Sequence, residues 1–531
     1  MNYNKIKLIN FHISLTKDGL YYDFFQDEDV NNGFDFYFYE DSNVKIFLQA
    51  SVVDESNLLC LFRKLSVNPL ENIKEVYNCL FETFQLYIWT KTDNQIFTLV
   101  DYLGVGANYV LETDADSFIF FSNFKNTKEL GCKLKLSKSN LYKYLLLGYR
   151  VNPMELPYTN ISTFEGGTIY KFDSKKYILN KIEFIPEELN IVTFKSIIKK
   201  NFQVSSLNQK LLFGATAGKD SLALLSLIKK EDTSYIAANF GNTLSDDVIQ
   251  GEKISSFLNL PFEHCENVTN SEFLDYANEV SSISGGLSTC SYVDMLKFTA
   301  ISIPSDYTYV MGEAGECYRE FFESSNELCS SLDNYVTPSA FLEQCLHISE
   351  NEIIALKEQL FSSIQSNYKG ANVSEGLRNF YRHGRMPGNF SNRTKLINRY
   401  RNKSAPFLNV ELLKTIPNIN SELFKNDFVH KELVKSKKSL DWFRFFDKPI
   451  KSDVDSQDWA NRFKNGIGKL IKTEIIEKND RLNQELIDVK GLLILLNNEL
   501  NKPSRGIYFI LRIISFICFF EKNHNNIKLI D

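Results

Sequence analysis

Paired cysteines are missing from this sequence. Its nine cysteines are scattered along the chain, and none forms a C-x-x-C pair. Zinc sites, dithiol redox sites and the disulfide frameworks of small secreted domains all depend on such regular cysteine spacing. The pattern therefore predicts neither a zinc site nor a disulfide framework, and a reducing, cytoplasmic setting is the simplest expectation.

Long apolar runs are missing as well. The stretch that follows Met1 to Ile6 is not the continuous apolar segment of a signal peptide. The most apolar late segment, 506–520, is too short to span a bilayer and contains Arg512. We expect this segment to form a buried helix, and we expect no membrane partner.

The sequence also has no excess of basic residues. The chain has 60 Lys and Arg against 66 Asp and Glu, which gives a net charge of −6. Nucleic-acid-binding domains are usually basic, so no nucleic-acid partner is expected. The length of 531 residues allows a large core and two or more domains.

Residues 1 to about 190 are rich in short β-branched or aromatic runs separated by turn-forming residues, which is typical of strands. These runs are 34–39, 86–89, 95–100 and 117–121. Helical spacing occurs at 71–82 and 141–147. The first part of the chain is therefore predicted to be an α+β layered domain with mostly antiparallel strands.

From about residue 205 the pattern changes to strands that alternate with helices. Apolar strand candidates lie at 210–214, 234–240, 261–265 and 307–311, with helical periodicity between them. Such alternation predicts an α/β domain with a doubly wound parallel sheet. Beyond about residue 320 the chain is predicted to be helical.

The stretch 210–225 reads as a short apolar strand, a turn of small residues and a helix. A strand that enters a helix through small residues leaves backbone N–H groups that can bind phosphate. The common NTPase loop is excluded because Asp220, not Ser or Thr, follows Lys219. Thr216, Ala217, Gly218, Lys219, Asp220 and Ser221 fit S-G-G-x-D-S, the pyrophosphate loop of the ATP pyrophosphatases. The alternative is a turn that merely joins a strand to a helix.

A second turn, Gly312-Glu313-Ala314-Gly315-Glu316, follows the strand candidate 307–311. Ligands of a doubly wound sheet bind at the carboxyl ends of its strands, so both turns could face one crevice. Asp220 and Glu316 would then suit Mg²⁺, which takes one or two carboxylates plus phosphate oxygens. The alternatives are a helix N-cap for Asp220 and a solvated turn for Glu313 and Glu316.

Together the two turns resemble the synthetase domain of the asparagine synthetase family, which pairs S-G-G-x-D-S with a later G-[DE]-G-[GS]-D-E turn. The segment 405–410 is similar to the family's R-x-P-F-L-D, with Asn409 in place of Asp and no Arg before it. The segment 446–451 lies where the family keeps a late catalytic Lys. Cys317 departs from the family's turn, which usually ends in Glu.

The first part of the chain resembles the family's glutaminase-like domain. Residues 100–109 are similar to R-D-x-x-G-x-x-P-L-Y-Y, 121–123 to F-[AS]-S-E, and 164–167 to L-x-P-G. The resemblance implies an Ntn-hydrolase-like domain over 1–190. It implies an adenine nucleotide α-hydrolase-like synthetase domain over 191–531.

The nucleophile of that glutaminase domain is absent at the expected position. The family uses an N-terminal Cys freed by removal of Met1, whereas this chain has Asn2 there and its first cysteine is Cys60. Without a thiolate there is no acyl-enzyme route from glutamine to ammonia. The resemblance therefore implies a degenerate first domain, as in the β-lactam synthetases and lasso-peptide cyclases of the same superfamily.

The resemblance implies an ATP-dependent ligase. A carboxylate of a small molecule or peptide attacks the α-phosphate of ATP, pyrophosphate leaves, and an amine or ammonia displaces AMP. The 216–221 loop and Gly312 would hold ATP, Asp220 and Glu316 would hold Mg²⁺, and the backbone at Ala238 and Asn239 would contact adenine. Lys448, or Lys451 as second choice, would stabilise the transition state.

In the same scheme, Glu313 would orient or deprotonate the incoming amine. Partner enzymes of a biosynthetic cluster are possible, and the sequence does not fix the oligomeric state.

Two other functions stay open at this stage. One is a pyrophosphate-loop enzyme that modifies nucleic acid or transfers sulfur, although such enzymes usually show cysteine pairs and a basic surface. The other is a scaffold protein that has lost catalysis, as the glutaminase nucleophile has been lost.

The missing thiolate predicts that the purified protein does not release glutamate from glutamine, with or without ATP. An enzyme-coupled glutamate assay checks this expectation, with a glutamine-dependent amidotransferase as positive control. Glutamate production by this chain would overturn the assignment of the first domain as degenerate.

Overall fold

The computed structural model describes residues 3–26, 33–113, 117–152, 155–173, 175–207, 210–228, 235–304, 306–321, 332, 335–370, 372–435, 453–478, 486–502, 504 and 506–530. Over these residues the chain forms two packed parts. The first is built on two antiparallel sheets, and the second on one parallel sheet surrounded by helices.

Thirteen strands belong to the first part. They are β1 (Asn4–Leu8), β2 (Asn10–Thr16), β3 (Gly19–Phe25), β4 (Phe34–Glu40), β5 (Val44–Ala50), β6 (Phe84–Thr90), β7 (Gln95–Val100), β8 (Tyr109–Glu112), β9 (Phe118–Phe121), β10 (Leu134–Ser137), β11 (Ile161–Ser162), β12 (Thr168–Phe172) and β13 (Lys176–Lys181). One antiparallel sheet has the order β1-β4-β5-β6-β7-β12-β13, and the other has the order β11-β8-β9-β2-β3.

The two sheets pack face to face through an aromatic core. Strand β4 shows why, because successive side chains of a strand point to opposite faces. Phe34 and Phe36 pack into the core between the sheets, whereas Tyr37 and Tyr39 pack on the other face with the first helix of the chain. The predicted α+β layered domain with antiparallel strands is confirmed.

Most α-helices belong to the second part, and the following list gives the α-helices of both parts in chain order. They are α1 (Glu55–Val67), α2 (Pro69–Asn72), α3 (Lys138–Leu147), α4 (Ile191–Ser206), α5 (Lys219–Leu225), α6 (Asp246–Leu258), α7 (Asn270–Ser284), α8 (Val293–Lys297), α9 (Ser339–Cys345), α10 (Glu350–Asn367), α11 (Val373–Phe380), α12 (Ser391–Asn398), α13 (Val410–Leu413), α14 (Ser421–Lys425), α15 (Phe428–Val434), α16 (Asp453–Arg462), α17 (Gly468–Leu470), α18 (Val489–Asn501) and α19 (Gly506–Asn523). The helix expected at 71–82 is wrong, since that stretch holds only the short α2 and a 3₁₀ turn, Ile73–Asn78.

The second part is centred on five parallel strands. They are β14 (Lys210–Gly214), β15 (Tyr235–Phe240), β16 (Phe262–Cys265), β17 (Tyr307–Val310) and β18 (Lys403–Ser404), in the order β16-β15-β14-β17-β18. The strand order reverses at β14, which is the arrangement of a doubly wound sheet. The predicted α/β domain with a parallel sheet is confirmed.

The end of the chain returns to the first part. Helix α19 is buried along most of its length, as expected for 506–520, and its Phe519 ring packs 5.7 Å from the ring of Phe124. The final strand, β19 (Ile527–Ile530), pairs in parallel with β10. Helix α19 packs along α7, and α7 contacts the 3₁₀ turn Phe124–Leu130 of the first part. Within the described part of the chain, no helix has the length and hydropathy needed to cross a membrane.

Polar contacts fix the first part to strand β18. The buried carboxylate of Glu82 accepts hydrogen bonds from Ser404 Oγ at 2.8 Å and from the Ala405 N–H at 2.6 Å. Burial raises the pKa of Glu82 to about 7, although both donors oppose the shift. Asn402, just before β18, exchanges two hydrogen bonds with Asp35. The edge strand of the parallel sheet is therefore held by side chains of the first part.

The proposed boundary at residue 190 coincides with a helix start. Asn190 caps α4 by accepting hydrogen bonds from the N–H groups of Val192 and Thr193. The division into 1–190 and 191–531 stays a prediction, because a continuous apolar core joins residues of both ranges.

Gly251 of α6 provides a test of how closely this helix packs on the sheet. A Cβ at this position would lie 2.3 Å from the Ala215 carbonyl oxygen, which is backbone and cannot rotate away. We expect Gly251→Ala to lower the free energy of unfolding by about 1–3 kcal/mol, as overpacking does. Urea denaturation measures the change.

Glu252→Ala is the matched control, since Glu252 is exposed on the same helix. We expect little change in the control. Equal stability of Gly251→Ala and the wild type would contradict the close contact between α6 and the end of β14.

Candidate functional site

The loop between β14 and α5 is held by its own hydroxyl groups. Thr216 Oγ1 donates to Ser221 Oγ at 3.0 Å and accepts from the Gly218 N–H at 3.1 Å. The Ala217 N–H donates to Asp247 Oδ1 at 2.9 Å. The loop is thus a closed turn, and a carboxylate already meets one of its backbone donors.

The loop and the 312–316 turn lie in direct contact at the point where the strand order reverses. A Cβ on Gly312 would lie 2.8 Å from the Asp220 Cβ, and one on Gly315 would lie 2.3 Å from Asp220 Oδ1. Only glycine allows the two turns to approach this closely. The prediction that both turns face one crevice is confirmed.

Asp220 and Glu316 are brought together beside His430 and Arg319. His430 Nε2 lies 2.6 Å from Asp220 Oδ1, and Arg319 Nη2 lies 3.5 Å from Asp220 Oδ2. Burial alone would raise the pKa of Asp220, but His430 and then Arg319 lower it below its ordinary value. Burial, and next the charge of Asp220, raise the pKa of Glu316 to about 7.

Glu313 lies in a buried ionic group. Its Oε2 pairs with Lys403 Nζ, and its Oε1 lies 3.2 Å from Arg393 Nε. Lys403 also donates to Thr394 Oγ1 at 2.6 Å. Both carboxylate oxygens therefore have a cationic partner, which makes Glu313 an anchor for Arg393. Its predicted role toward an amine stays a prediction.

A cavity of about 480 Å³ opens where these elements meet. Its lining combines polar and acidic side chains with several aromatic rings. The lining residues are Gly214, Thr216, Gly218, Asp220, Ser221, Asn239, Phe240, Gly241, Asn242, Ser245, Asp247, Asn267, Ser291, Tyr292, Asp294, Met295, Tyr309, Met311, Gly312, Glu313, Glu316, Phe390, Arg393, Asp458, Trp459 and Tyr508. Among the described lining residues, six carboxylates face one cation, Arg393.

The second strand reaches the same cavity through Asn239. The side chain of Asn239 is buried, its Oδ1 accepts from the Phe240 N–H at 2.8 Å, and its Nδ2 meets no partner among the described residues. Ala238 is buried behind it, with its carbonyl bonded to the Ala215 N–H. Asn239 therefore offers the cavity a donor, whereas Ala238 supports the loop from behind.

The predicted residues are placed as follows. Thr216, Gly218, Asp220, Ser221, Asn239, Gly312, Glu313 and Glu316 line the cavity. Ala217 faces Asp247, and Lys219 pairs with Asp427 and does not line the cavity. Lys448 and Lys451 lie outside the described residues, so their predicted roles stay predictions.

Several residues of the site were not found from the sequence. His430 and Arg319 reach Asp220 from distant positions, and no local pattern marks them. Asp247 had a usable signal, because it lies in the first turn of the helix that follows β15, where a doubly wound sheet places its ligands. Asp458 accepts a hydrogen bond on each carboxylate oxygen, from Asn242 Nδ2 at 3.0 Å and from Asn267 Nδ2 at 2.9 Å.

Asp220 and Glu316 offer carboxylate oxygens, which are the ligands that Mg²⁺ prefers. Glu316 Oε2 is buried with no hydrogen-bond partner, and the neighbouring Asp220 charge disfavours ionised Glu316, which a cation would reverse. No cluster of three or more His, Cys, Asp or Glu residues suited to a metal occurs in the described ranges. A magnesium ion held by two carboxylates would thus need phosphate and water for its other ligands.

Comparisons with known proteins add little. No protein-family model matches the chain, and no curated protein matches it in sequence. Among solved structures, a glutamine phosphoribosylpyrophosphate amidotransferase from B. subtilis, complexed with ADP and GMP, is similar at 8% identity and a TM-score of 0.20. That match covers 69% of this chain and 89% of the other. A TM-score this low does not establish a shared fold.

Replacing Glu316 by Gln tests the charge repulsion in the site. Because the pKa is about 7 in the folded protein, above the ordinary value of about 4.5, the folded state binds the extra proton between these pH values. The stability that this carboxyl contributes is present below about pH 4.5 and is lost as the pH rises through about 7.

We expect the unfolding free energy of Glu316→Gln, relative to wild type, to increase from pH 5 to pH 8 by roughly 1 kcal/mol or more. Urea denaturation in EDTA at several pH values measures it. Glu358→Gln, at an exposed position on α10, is the control and should show no such trend. A pH-independent difference for Glu316→Gln would contradict the raised pKa.

Proposed function

We propose that this protein is an ATP-dependent carbon–nitrogen ligase of the asparagine synthetase type. It adenylates a carboxylate with release of pyrophosphate, and an amine or ammonia then displaces AMP. The observation that carries this proposal is the contact between the 216–221 loop and the 312–316 turn at the reversal of the strand order. This contact places Asp220 and Glu316 together on a cavity large enough for a nucleotide and a small substrate.

The residues of the loop would bind the phosphates. The hydroxyl groups of Thr216 and Ser221, with backbone N–H groups at the start of α5, would hold the β- and γ-phosphates as pyrophosphate forms. Asn239 would donate its unpaired N–H to an acceptor on the adenine ring. Asp220 and Glu316 would hold Mg²⁺, which supplies positive charge to the phosphates.

Further positive charge has to come from outside the described lining. Six carboxylates and one guanidinium cannot balance a triphosphate, even with one magnesium ion. Helix α15 places His430 at Asp220, and α16 reaches the cavity through Asp458. The stretch that contains Lys448 and Lys451 connects these two helices in the sequence. This supports Lys448, with Lys451 as second choice, as the cation of the transition state.

The first part of the chain would serve as structure and not as a glutaminase. Its contacts from Glu82 and Asp35 to the region of β18 support the edge of the parallel sheet next to Lys403. An Ntn-hydrolase-like ancestry of this part, and a cytoplasmic location of the whole, belong to the same proposal.

One observation favours a nucleotide-binding scaffold without turnover. Asp220 is already engaged by His430 and Arg319, and the Ala217 N–H is engaged by Asp247. A site whose metal ligand and phosphate donor have partners within the chain could have lost its catalytic function. Such a protein would bind ATP and would form no pyrophosphate with any carboxylate.

Pyrophosphate release from ATP and Mg²⁺ in the presence of a panel of carboxylates distinguishes these functions. We expect wild type to release pyrophosphate with at least one carboxylate. We expect Asp220→Ala to lose about a hundredfold or more of that rate, because a preorganised electrostatic contact is removed. Asp275→Ala, at an exposed position of α7, should retain the rate.

Unchanged pyrophosphate release in Asp220→Ala would show that the loop is not the reaction site. ATP binding without pyrophosphate release across the panel would instead favour the scaffold.

A further inference from the structure

Arg393 is the one positively charged side chain among the described residues that line the cavity. It lies on α12, 26% of its side chain is exposed, and its guanidinium shares the cavity with six carboxylates. A cation among carboxylates usually serves to neutralise them. Among the described carboxylates its ion pair is with Glu313, at 3.2 Å through Nε.

The other side of the guanidinium faces no partner in the described structure. No hydrogen bond joins Nη1 or Nη2 of Arg393 to a described residue. These two nitrogens form the planar fork that matches a carboxylate through two parallel hydrogen bonds. The fork is thus available to a ligand in the cavity.

A buried ion-pair network lies behind the fork. Glu313 Oε1 lies 3.2 Å from Arg393 Nε, and Lys403 pairs with the other oxygen of Glu313 while it donates to Thr394 on the same helix as Arg393. Lys403, Glu313 and Arg393 together carry one more positive charge than negative charge. One anionic group of a ligand would balance this buried trio.

The cavity that contains the fork also has an aromatic lining. Tyr292, Tyr309 and Phe390 line the cavity with Arg393. Burial raises the pKa of both tyrosines, and the charge of Arg393 is the leading opposing influence on each. A ligand whose carboxylate meets the fork would lie with its body against these rings.

We propose that Arg393 binds the carboxylate of the substrate, and that the aromatic residues of the cavity lining select a carboxylate attached to a flat or apolar body. This inference rests on the proposed ligase function for its meaning, since the bound carboxylate would be the group that is adenylated. The binding itself requires no turnover and is tested separately.

Ligand-observed NMR titration with phenylacetate, phenylacetamide and acetate tests the proposal. We expect phenylacetate to bind wild type more tightly than the other two, because only phenylacetate has both the charge and the ring. Arg393→Gln should weaken phenylacetate binding about tenfold or more and leave the amide unchanged, since a charge-assisted hydrogen-bond pair is lost. Arg393→Lys should fall between, because it keeps the charge and loses the fork.

Arg399→Gln is the matched control. Arg399 follows the same helix and pairs with Glu279 away from the cavity, so its replacement should leave phenylacetate binding unchanged. Circular dichroism of each variant shows that the fold is retained, and Arg393→Lys keeps a cation beside Glu313 if Arg393→Gln does not fold.

Three results would overturn the proposal. They are no binding of phenylacetate, equal binding of phenylacetate and phenylacetamide, and a loss of magnesium pyrophosphate binding in Arg393→Gln as large as the loss of phenylacetate binding. The last result would assign Arg393 to the phosphates. Carboxylate binding that depends on Arg393 in a protein that never releases pyrophosphate would support this inference and reject only the ligase function.

Discussion

The site depends on the absence of side chains where two turns meet. Gly312 and Gly315 lie against Asp220 so closely that a single methyl group would separate the turns. This contact forces Asp220 and Glu316 into one low-dielectric region, where two carboxylates repel each other. His430 and Arg319 offset the charge of Asp220, so α15 and the end of the 312–316 turn are also bound to this point. Several segments of the second part therefore meet at the repulsion between Asp220 and Glu316.

The first part of the chain contributes to that arrangement at a distance. Glu82 and Asp35 hold the backbone around β18, β18 carries Lys403, and Lys403 fixes Glu313. A carboxyl group of the first part is thus connected to the cavity lining through β18, by its own contacts with Ser404 and Ala405 and by that of Lys403 with Glu313. The pKa of Glu82, raised to about 7 by burial, adds a proton-dependent element to this chain of contacts. The first part can in this way support the site although none of its described residues lines the cavity.

Strands, helices and turns could be predicted from the sequence, whereas ion pairs between distant segments could not. The parallel sheet and the two turns followed from strand–helix alternation and from small residues after strands such as β14 and β17. Helix α1 was missed although Asp54 caps it and Leu58, Leu61 and Leu65 share one face. Arg319, Arg393 and His430 could not be found, because ion pairs between distant segments leave no periodic signal in the sequence.

The contacts of α19 and β19 with the first part have a consequence for the order of folding. The ring of Phe124 packs against those of Tyr109 and Phe121 of the first part and against that of Phe519 of α19. The pairing of β10 with β19 and the packing of Phe124 on Phe519 both join segments that lie far apart in the sequence. Such long-range contacts form late in folding, because the loop between the segments must close first. The first part therefore completes its packing only together with the segment 506–530.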